Sequence, residues 1–527
     1  MDKGVKKMQH RHTTKKKFHL SKRNFWILFV LFLLIAAAAG FGYQHRHRIR
    51  VAYNQLGVAK FTRADMTSVQ SSMTKSNNQR SPQFTENKLL SDVPSSRYYD
   101  TKTGQWDKVA VWDSWPVTKP DGTVANFHGY RLVMGLTSKG QRVDVNGVKI
   151  GLYAQKISDN ESDISSWQYL GDVFETSGEG HSGKKDEYLD MLKSEWSGST
   201  TMMHENDTTL RVFYTNAIVN GNQAQALTTA KVQLDPADGF DWNSGLTINH
   251  EKASDHKTVF VGDGKIYETY DQAAKNKGKV EDSFAMRDPH FVVDGDKYYL
   301  TFEGNTARDS GEQGAANFKN YSYFGNYSFY KKDLNRIKSN VNSNEYDRAY
   351  QANAALGKLE LNKDFTVKKV MKPMVTANAT LDIMERPNLF EYKGKWYLFT
   401  CFTGKSLSTN DPYLINKNYM FGYVSDNGIN GTYKPLNGNG LVLQGNLAES
   451  DPAYSYAYLV VRPEKVVNDQ FVVTAFQQSH TFAPSYIMQI KGHKTKMITN
   501  KVLDQGALNL DGKTYKATAQ DDTPTNK

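Results

Sequence analysis

Short runs of aromatic and β-branched residues, each entered through a polar turn, recur along the middle of this chain. Five are alike: HGYRLVMGL from residue 128, TLRVFYT from 209, DGDKYYLTF from 294, YKGKWYLFT from 392 and NDQFVVTAF from 468. Each reads as a turn followed by a strand. They lie roughly 75 to 100 residues apart, too far for one hairpin and suited to a four-stranded blade with insertions. Long helical periodicity is scarce, which argues against a doubly wound α/β fold. The pattern predicts an all-β chain built as a five-bladed β-propeller, with residues 96–511 as the propeller domain; an all-β sandwich with similar turns is the alternative the repeats leave open. Propellers place their chemistry where the first strands of several blades converge, so functional residues are expected far apart in sequence.

The ends differ from the middle. Phe25 to Tyr43 (FWILFVLFLLIAAAAGFGY) carries no charge and approaches the length that spans a bilayer as a helix. A basic segment, residues 1–24, precedes it and is expected on the cytoplasmic side. Two readings stay open: a signal peptide cut after Ala37 to Ala39, or an uncleaved anchor through residues 25–43. Either way residues 51 onward are expected to be extracellular. Residues 44–95 read as a polar spacer with some helix, and 512–527 as a polar tail.

Charge changes its meaning once it is located. The 66 Lys and Arg exceed the 55 Asp and Glu by 11. Residues 1–50 contain twelve basic side chains and one acid, so the remainder balances at 54 of each. A broad nucleic-acid face needs a surplus of cations on the binding domain, and none is expected here. The single cysteine, Cys401, excludes an intrachain disulfide and any Cys-rich metal site.

Three acidic motifs stand out. VAVWDSWP sets Asp113 between Trp112 and Trp115, MRDPHF sets Asp288 beside Arg287, and IMERPNLF sets Glu385 beside Arg386. Aromatic faces next to a carboxylate suit a sugar ring. Two carboxylates across a glycosidic bond are the minimum for retaining glycoside chemistry, one attacking the anomeric carbon and one protonating the leaving oxygen. Singly, each acid is explained as well by a turn or an Arg pair. Together, at the starts of separate blades, they point to catalysis.

VWDSWP, EWSGS (Glu195 to Ser199), RDPH and ERP, in this order, resemble the bacterial levansucrase and inulosucrase family, the fructosyltransferases of glycoside hydrolase family 68. The likeness covers about residues 100 to 510, and the family fold is a five-bladed propeller. The resemblance implies Asp113 as nucleophile, Asp288 as transition-state stabiliser and Glu385 as general acid and base. It implies substrate binding by Trp112, Trp196, Ser197, Arg287 and Arg386, with Glu303 and Tyr456 supporting the pocket. The expected donor is sucrose or a related fructosyl donor, and the acceptor a fructan, a sugar or water. The resemblance also implies a structural calcium ion on Asp282, Gln313, Asn353 and Asp382, oxygen donors of the kind a hard cation takes; no organic cofactor is expected. Two positions depart from the family pattern. Ile383 replaces an acidic or amide side chain, and Thr403 replaces an Arg or His, both on the leaving-group side. Altered donor or acceptor choice is therefore expected. Alternatives are a β-fructofuranosidase that mainly hydrolyses, or a fructan-binding protein with little activity.

Overall fold

A computed structural model describes residues 46–76, 78–82, 91–140, 147–159, 163–176, 178–191, 194–217, 224–275, 284–311, 313–478, 480–510 and 512–515. The basic segment 1–24 and the apolar run 25–43 lie outside the described residues, as does 516–527 of the tail. From Asn54 onward the chain forms one compact unit.

That unit is a ring of five antiparallel blades. Blade 1 runs through Gln105–Thr118, Tyr130–Lys139, Lys149–Lys156 and Gln168–Asp172; blade 2 through Ser194–Thr201, Thr209–Ala217, Gln225–Pro236 and Leu246–Phe260. Blade 3 uses Met286–Asp294, Lys297–Asn305, Ala354–Leu361 and Val367–Val370. Blade 4 uses Glu385–Tyr392, Lys395–Thr403, Asn418–Ser425 and Tyr433–Pro435, and blade 5 Ser455–Val461, Gln470–Gln477, Tyr486–Lys491 and Lys494–Met497. The five runs recognised in the sequence supply the second strand of every blade. These strands are buried on both faces because neighbouring blades pack against each side; Gln470–Gln477 is buried at every position.

The first strands line the axis. Val117 and Thr118 of blade 1 pair in parallel with Thr200 and Thr201 of blade 2. The ring closes where Val111 N donates to the His480 carbonyl (3.1 Å) and Val124 N to that of Arg462 (3.1 Å).

Part of the stretch 44–95, read as a polar spacer, belongs to the folded unit. Ala59–Lys60 pairs in parallel with Val375–Thr376, and the helix Arg63–Lys75 follows, its N-terminus closed by reciprocal bonds between Thr62 and Asp65. The reason is Arg63. Its fully buried guanidinium meets Asp333 at 2.5 Å and Glu345 at 2.7 Å and donates to the carbonyls of Ala379 and Ser408. Composition hides such a segment because one buried arginine and four apolar contacts (Phe61, Met66, Val69, Met73) anchor an otherwise polar sequence.

Candidate active site

Each first strand slips register at the same height. The antiparallel ladder skips between Val111 and Ser114, Trp196 and Gly198, Arg287 and His290, Glu385 and Asn388, and Tyr456 and Leu459. A bulge bends a strand and re-aims its side chains. Here five bulges turn Asp113, Ser197, Asp288, Glu385 and Tyr456 toward a common end of the axis. Asp288, Arg386 and Ala457 adopt positive φ (55°, 52° and 59°), a costly backbone for non-glycine residues that marks functional sites. In blade 2 the bulge takes a glycine for another reason: a Cβ on Gly198 would lie 1.9 Å from the Phe213 carbonyl oxygen.

The three carboxylates are held differently. Asp288 is buried and fully engaged: Oδ1 accepts from Ser197 Oγ (2.5 Å), Oδ2 from Arg386 N (2.8 Å), and its own N–H donates to Thr215 Oγ1 (2.8 Å). Glu385 is tethered on one side. Its Oε2 accepts from the Tyr456 hydroxyl, and Oε1 lies 3.7 Å from the Arg287 guanidinium, with a quarter of the side chain open to solvent. Asp113 accepts no hydrogen bond from any other described residue and is half-buried. Its carboxylate is therefore free to react.

The cations explain the electrostatics. Arg287 is clamped by buried Glu303, with Nε–Oε2 at 2.9 Å and a second contact at 3.2 Å, a bidentate geometry that fixes its plane. Arg386 donates to the carbonyls of Ser114 (2.5 Å) and Ala457. Its guanidinium braces blades 1 and 5 from blade 4, a positioning role beside the substrate contact expected of it. Burial pushes Asp113 up to about 6 against the pull of Arg386, with Asp288 adding to the rise. Burial likewise pushes Glu385 up to about 7 against Arg287 and Tyr456, with Asp288 and Asp113 adding to it. One carboxylate ionised and one protonated near neutrality is the state that acid-assisted displacement needs.

At Asp288 the axis narrows to a cavity of about 30 Å³, lined by Trp115, Ser197, Asp288, Arg386 and Leu459 among others, at least one residue from each first strand. That is room for a water or two and not for a sugar; Asp113 and Glu385, which do not line it, are half-buried. Of the two tryptophans flanking Asp113, Trp115 is core, its indole N–H donating to Thr200 Oγ1 at 2.9 Å, and Trp112 is nearly buried. Trp196 is half-buried, with Nε1 donating to Ser194 Oγ at 3.0 Å.

The family model described as Levansucrase/Invertase matches residues 52–509. The chain belongs to glycoside hydrolase family 68. Among family relatives, levansucrase of Bacillus amyloliquefaciens is 36% identical over 464 residues, 86% of this chain and 91% of that protein. An inactive levansucrase of Geobacillus stearothermophilus is equally similar at 36%, over 86% of this chain and 91% of its own. The crystal structure of Bacillus subtilis levansucrase superposes with a TM-score of 0.76 at 35% identity, covering 86% of this chain and 98% of that one. The all-β propeller architecture expected from the repeats is thus the fold of this family's solved members.

Sequence reasoning missed Thr215, whose hydroxyl orients Asp288, and Thr400, which donates to the Glu385 carbonyl at 2.8 Å. Both lie in second strands, inside runs recognised only as structural; an alternating Thr in an otherwise apolar run was the available signal. Cys401, directly opposite Glu385, is fully buried, and burial pushes its thiol well up, as befits a core residue. Ile383 is buried and apolar. Thr403 sits two residues beyond Cys401, in a cleft with Lys405, Lys417, Glu449 and Tyr454. Lys405 is paired there with Glu449 at 2.9 Å.

Of the four oxygen donors assigned to calcium, Asp282 lies outside the described residues. The other three occur in one polar cluster. Asn305 Nδ2 donates to Asn353 Oδ1 (3.0 Å) and to the Asp382 carbonyl (3.3 Å), and Asn353 Nδ2 donates to Glu268 (3.0 Å). Gln313 shares a cleft with Glu268 and Thr306, and its Oε1 is buried with no hydrogen-bond partner. An orphaned buried oxygen among amides and carboxylates fits a hard cation. Among the described residues no three His, Cys, Asp or Glu side chains gather as a metal site.

Proposed function

We propose that this chain is an extracellular retaining fructosyltransferase acting on sucrose or a related fructosyl donor. The carrying observation is the division of labour among the carboxylates: Asp113 free of donors, Asp288 locked by Ser197 and the Arg386 backbone, Glu385 raised and bonded to Tyr456. Asp113 attacks the fructosyl anomeric carbon as Glu385 protonates the departing glycosidic oxygen, giving a covalent fructosyl-enzyme. Asp288 meets the hydroxyls and the developing positive charge of the ring. Glu385 then takes the proton of an acceptor hydroxyl, from a fructan, a sugar or water, whose oxygen displaces Asp113 with net retention.

Ile383 and the pairing of Lys405 with Glu449 support weak holding of the leaving sugar, since neither offers a free charged hydrogen bond of about 1.5–3 kcal/mol. Incubation with sucrose, with glucose and fructose measured separately, tests the reading. Glucose in excess of fructose marks transfer, equal amounts mark the hydrolytic alternative, and release of neither sinks the enzyme assignment in favour of fructan binding. Saturation at ordinary sucrose levels with efficient polymer formation would count against a weakened leaving-group side.

Calcium on Gln313, Asn353, Asp382 and Asp282 is proposed as a structural tie between loops, supplying charge neutralisation and no chemical step. Excess chelator should lower the melting temperature, and an unchanged melt rejects it. Residues 25–43 are proposed to direct export, as a cleaved signal or a retained membrane anchor.

A further inference from the structure

Away from the active site, a concave groove of about 450 Å³ lies between the helix Arg63–Lys75 and the outer edge of blade 5. Its lining holds four lysines (Lys75, Lys491, Lys494 and Lys496) and no acid. In a unit whose charges otherwise balance, that local surplus is pronounced.

The lysines are arranged unfavourably for the protein alone. In the closing hairpin of blade 5, Lys491 pairs directly across from Lys494, and Gln489 from Lys496 on the same face. Like charges placed opposite one another on a sheet are destabilising. Lys75, Lys491 and Lys494 make no ion pair with any described residue. Asp426 is bound to Lys395, Lys434 and His493, and Asp469, which also feels the charge of Lys491, is bound to Lys393. Lysines on an outer strand also discourage edge-to-edge aggregation. That role accounts for Lys494 and Lys496 but not for Lys75, which a separate helix brings to the same concavity.

The rest of the lining defines the ligand. Asn437 and Asn439 are tied into the wall of the groove, donating to Leu441 and Thr495 and to Ser68 and Ser72, whereas Asn78 Oδ1 is a buried acceptor with no partner, ready for a hydroxyl. No aromatic side chain lines the groove, which disfavours a nucleic acid whose bases need stacking platforms. Leu441 is its one apolar side chain among those residues, too little to enter a lipid surface. The cations of the lining are all lysines, which bind phosphate as point charges.

We propose that this groove binds a phosphodiester-linked polymer of polyols or sugars, its phosphates meeting Lys75, Lys491, Lys494 and Lys496 and a hydroxyl meeting Asn78 Oδ1. Bound this way, the enzyme would be held on an anionic polymer while its active site stays open.

The test is a lysine footprint of the full-length protein. Poly(glycerol phosphate) is added, lysines are acetylated under limiting reagent, and modification is read by peptide mass spectrometry, which separates the groove from the basic residues 1–50. Lys75, Lys491, Lys494 and Lys496 should be protected about fivefold or more at low salt, and the affinity should fall by on the order of 10- to 100-fold between about 50 and 200 mM salt, as for release of counterions from four phosphates. In the triple variant K491Q/K494Q/K496Q, protection of Lys75 should disappear while sucrose turnover stays at the wild-type level. Protection confined to residues 1–50, equal protection by polyglutamate, or persistent protection of Lys75 in the variant would each overturn the proposal.

Discussion

In each blade the first and second strands face different demands. The second strands, such as Lys395–Thr403 and Gln470–Gln477, are regular, buried on both faces and paired without a slip along most of their length. The first strands break their ladder once each, at the level of the site, and three of them place a non-glycine residue at positive φ there. Regular strands make the ring rigid, and the irregular ones exploit that rigidity. A bulged strand with a strained residue persists only where the surroundings over-determine it, and the second strands, with Arg386 bridging three blades, provide that constraint. Stability and chemistry are thereby separated onto adjacent strands.

That separation is open to attack from both sides. The largest effect is expected for Asp113→Ala, which removes the free carboxylate from a first strand: turnover should fall by about 10⁴-fold or more, with the melting temperature unchanged or slightly raised because a buried acid is gone. Full activity in this variant would refute the nucleophile assignment. The converse change is Phe302→Ala in the second strand of blade 3. Phe302 is fully buried against Tyr267 and Phe260, over Gly357, whose missing Cβ makes room for its ring. Denaturant unfolding should show a loss of about 3–5 kcal/mol, while turnover per folded molecule changes little. Comparable damage to turnover would mean the two strands are not separable.

Ser197→Ala probes an intermediate case, since it removes one donor from Asp288 without touching the core. A fall of about 10- to 100-fold in kcat/KM is expected, from loss of one charge-assisted hydrogen bond, with no change in melting. The smallest effect concerns pH. Catalysis requires Asp113 ionised and Glu385 protonated, so activity should peak between the values near 6 and 7 set by burial, falling in acid as Asp113 takes a proton and in alkali as Glu385 loses one. The two limbs describe the coupled site as a whole. Tyr456 donates to the Glu385 carboxylate and so favours its charged form. In Tyr456→Phe the alkaline limb should therefore move to higher pH, and a shift to lower pH would contradict this placement of the acid. For stability the sign is opposite to that of an ion-paired carboxylate. Both acids are raised on folding, so their protonated forms favour the native state at low pH, and that contribution is lost as pH rises through about 6 and 7.

Much of this architecture is legible in the sequence. The five turn-and-strand runs are the second strands because buried, regular strands need continuous β-branched and aromatic residues, a pattern that local composition cannot conceal. The motifs around Asp113, Asp288 and Glu385 are legible because chemistry requires particular residue types there. Arg386 is legible only in part: a cation beside an acid reads as a substrate contact, and the carbonyls of Ser114 and Ala457, 272 and 71 residues away, add a bracing role that no local pattern carries. Thr215 is hidden inside a structural run, and the helix Arg63–Lys75 inside a polar stretch whose one decisive contact is a buried arginine.

By itself, then, the amino-acid order determined the number of blades, the three acidic motifs, and the basic and apolar character of the N-terminal stretch, all of which are written in side-chain type and short spacing. The tertiary structure alone decided which acid is free and which is tied, how far burial raises Asp113 and Glu385, and that four lysines from two distant segments share one groove. Those properties depend on register slips and on neighbours brought together across hundreds of residues, and the energies involved, desolvation and hydrogen bonding, exist only once water has been excluded by the folded ring.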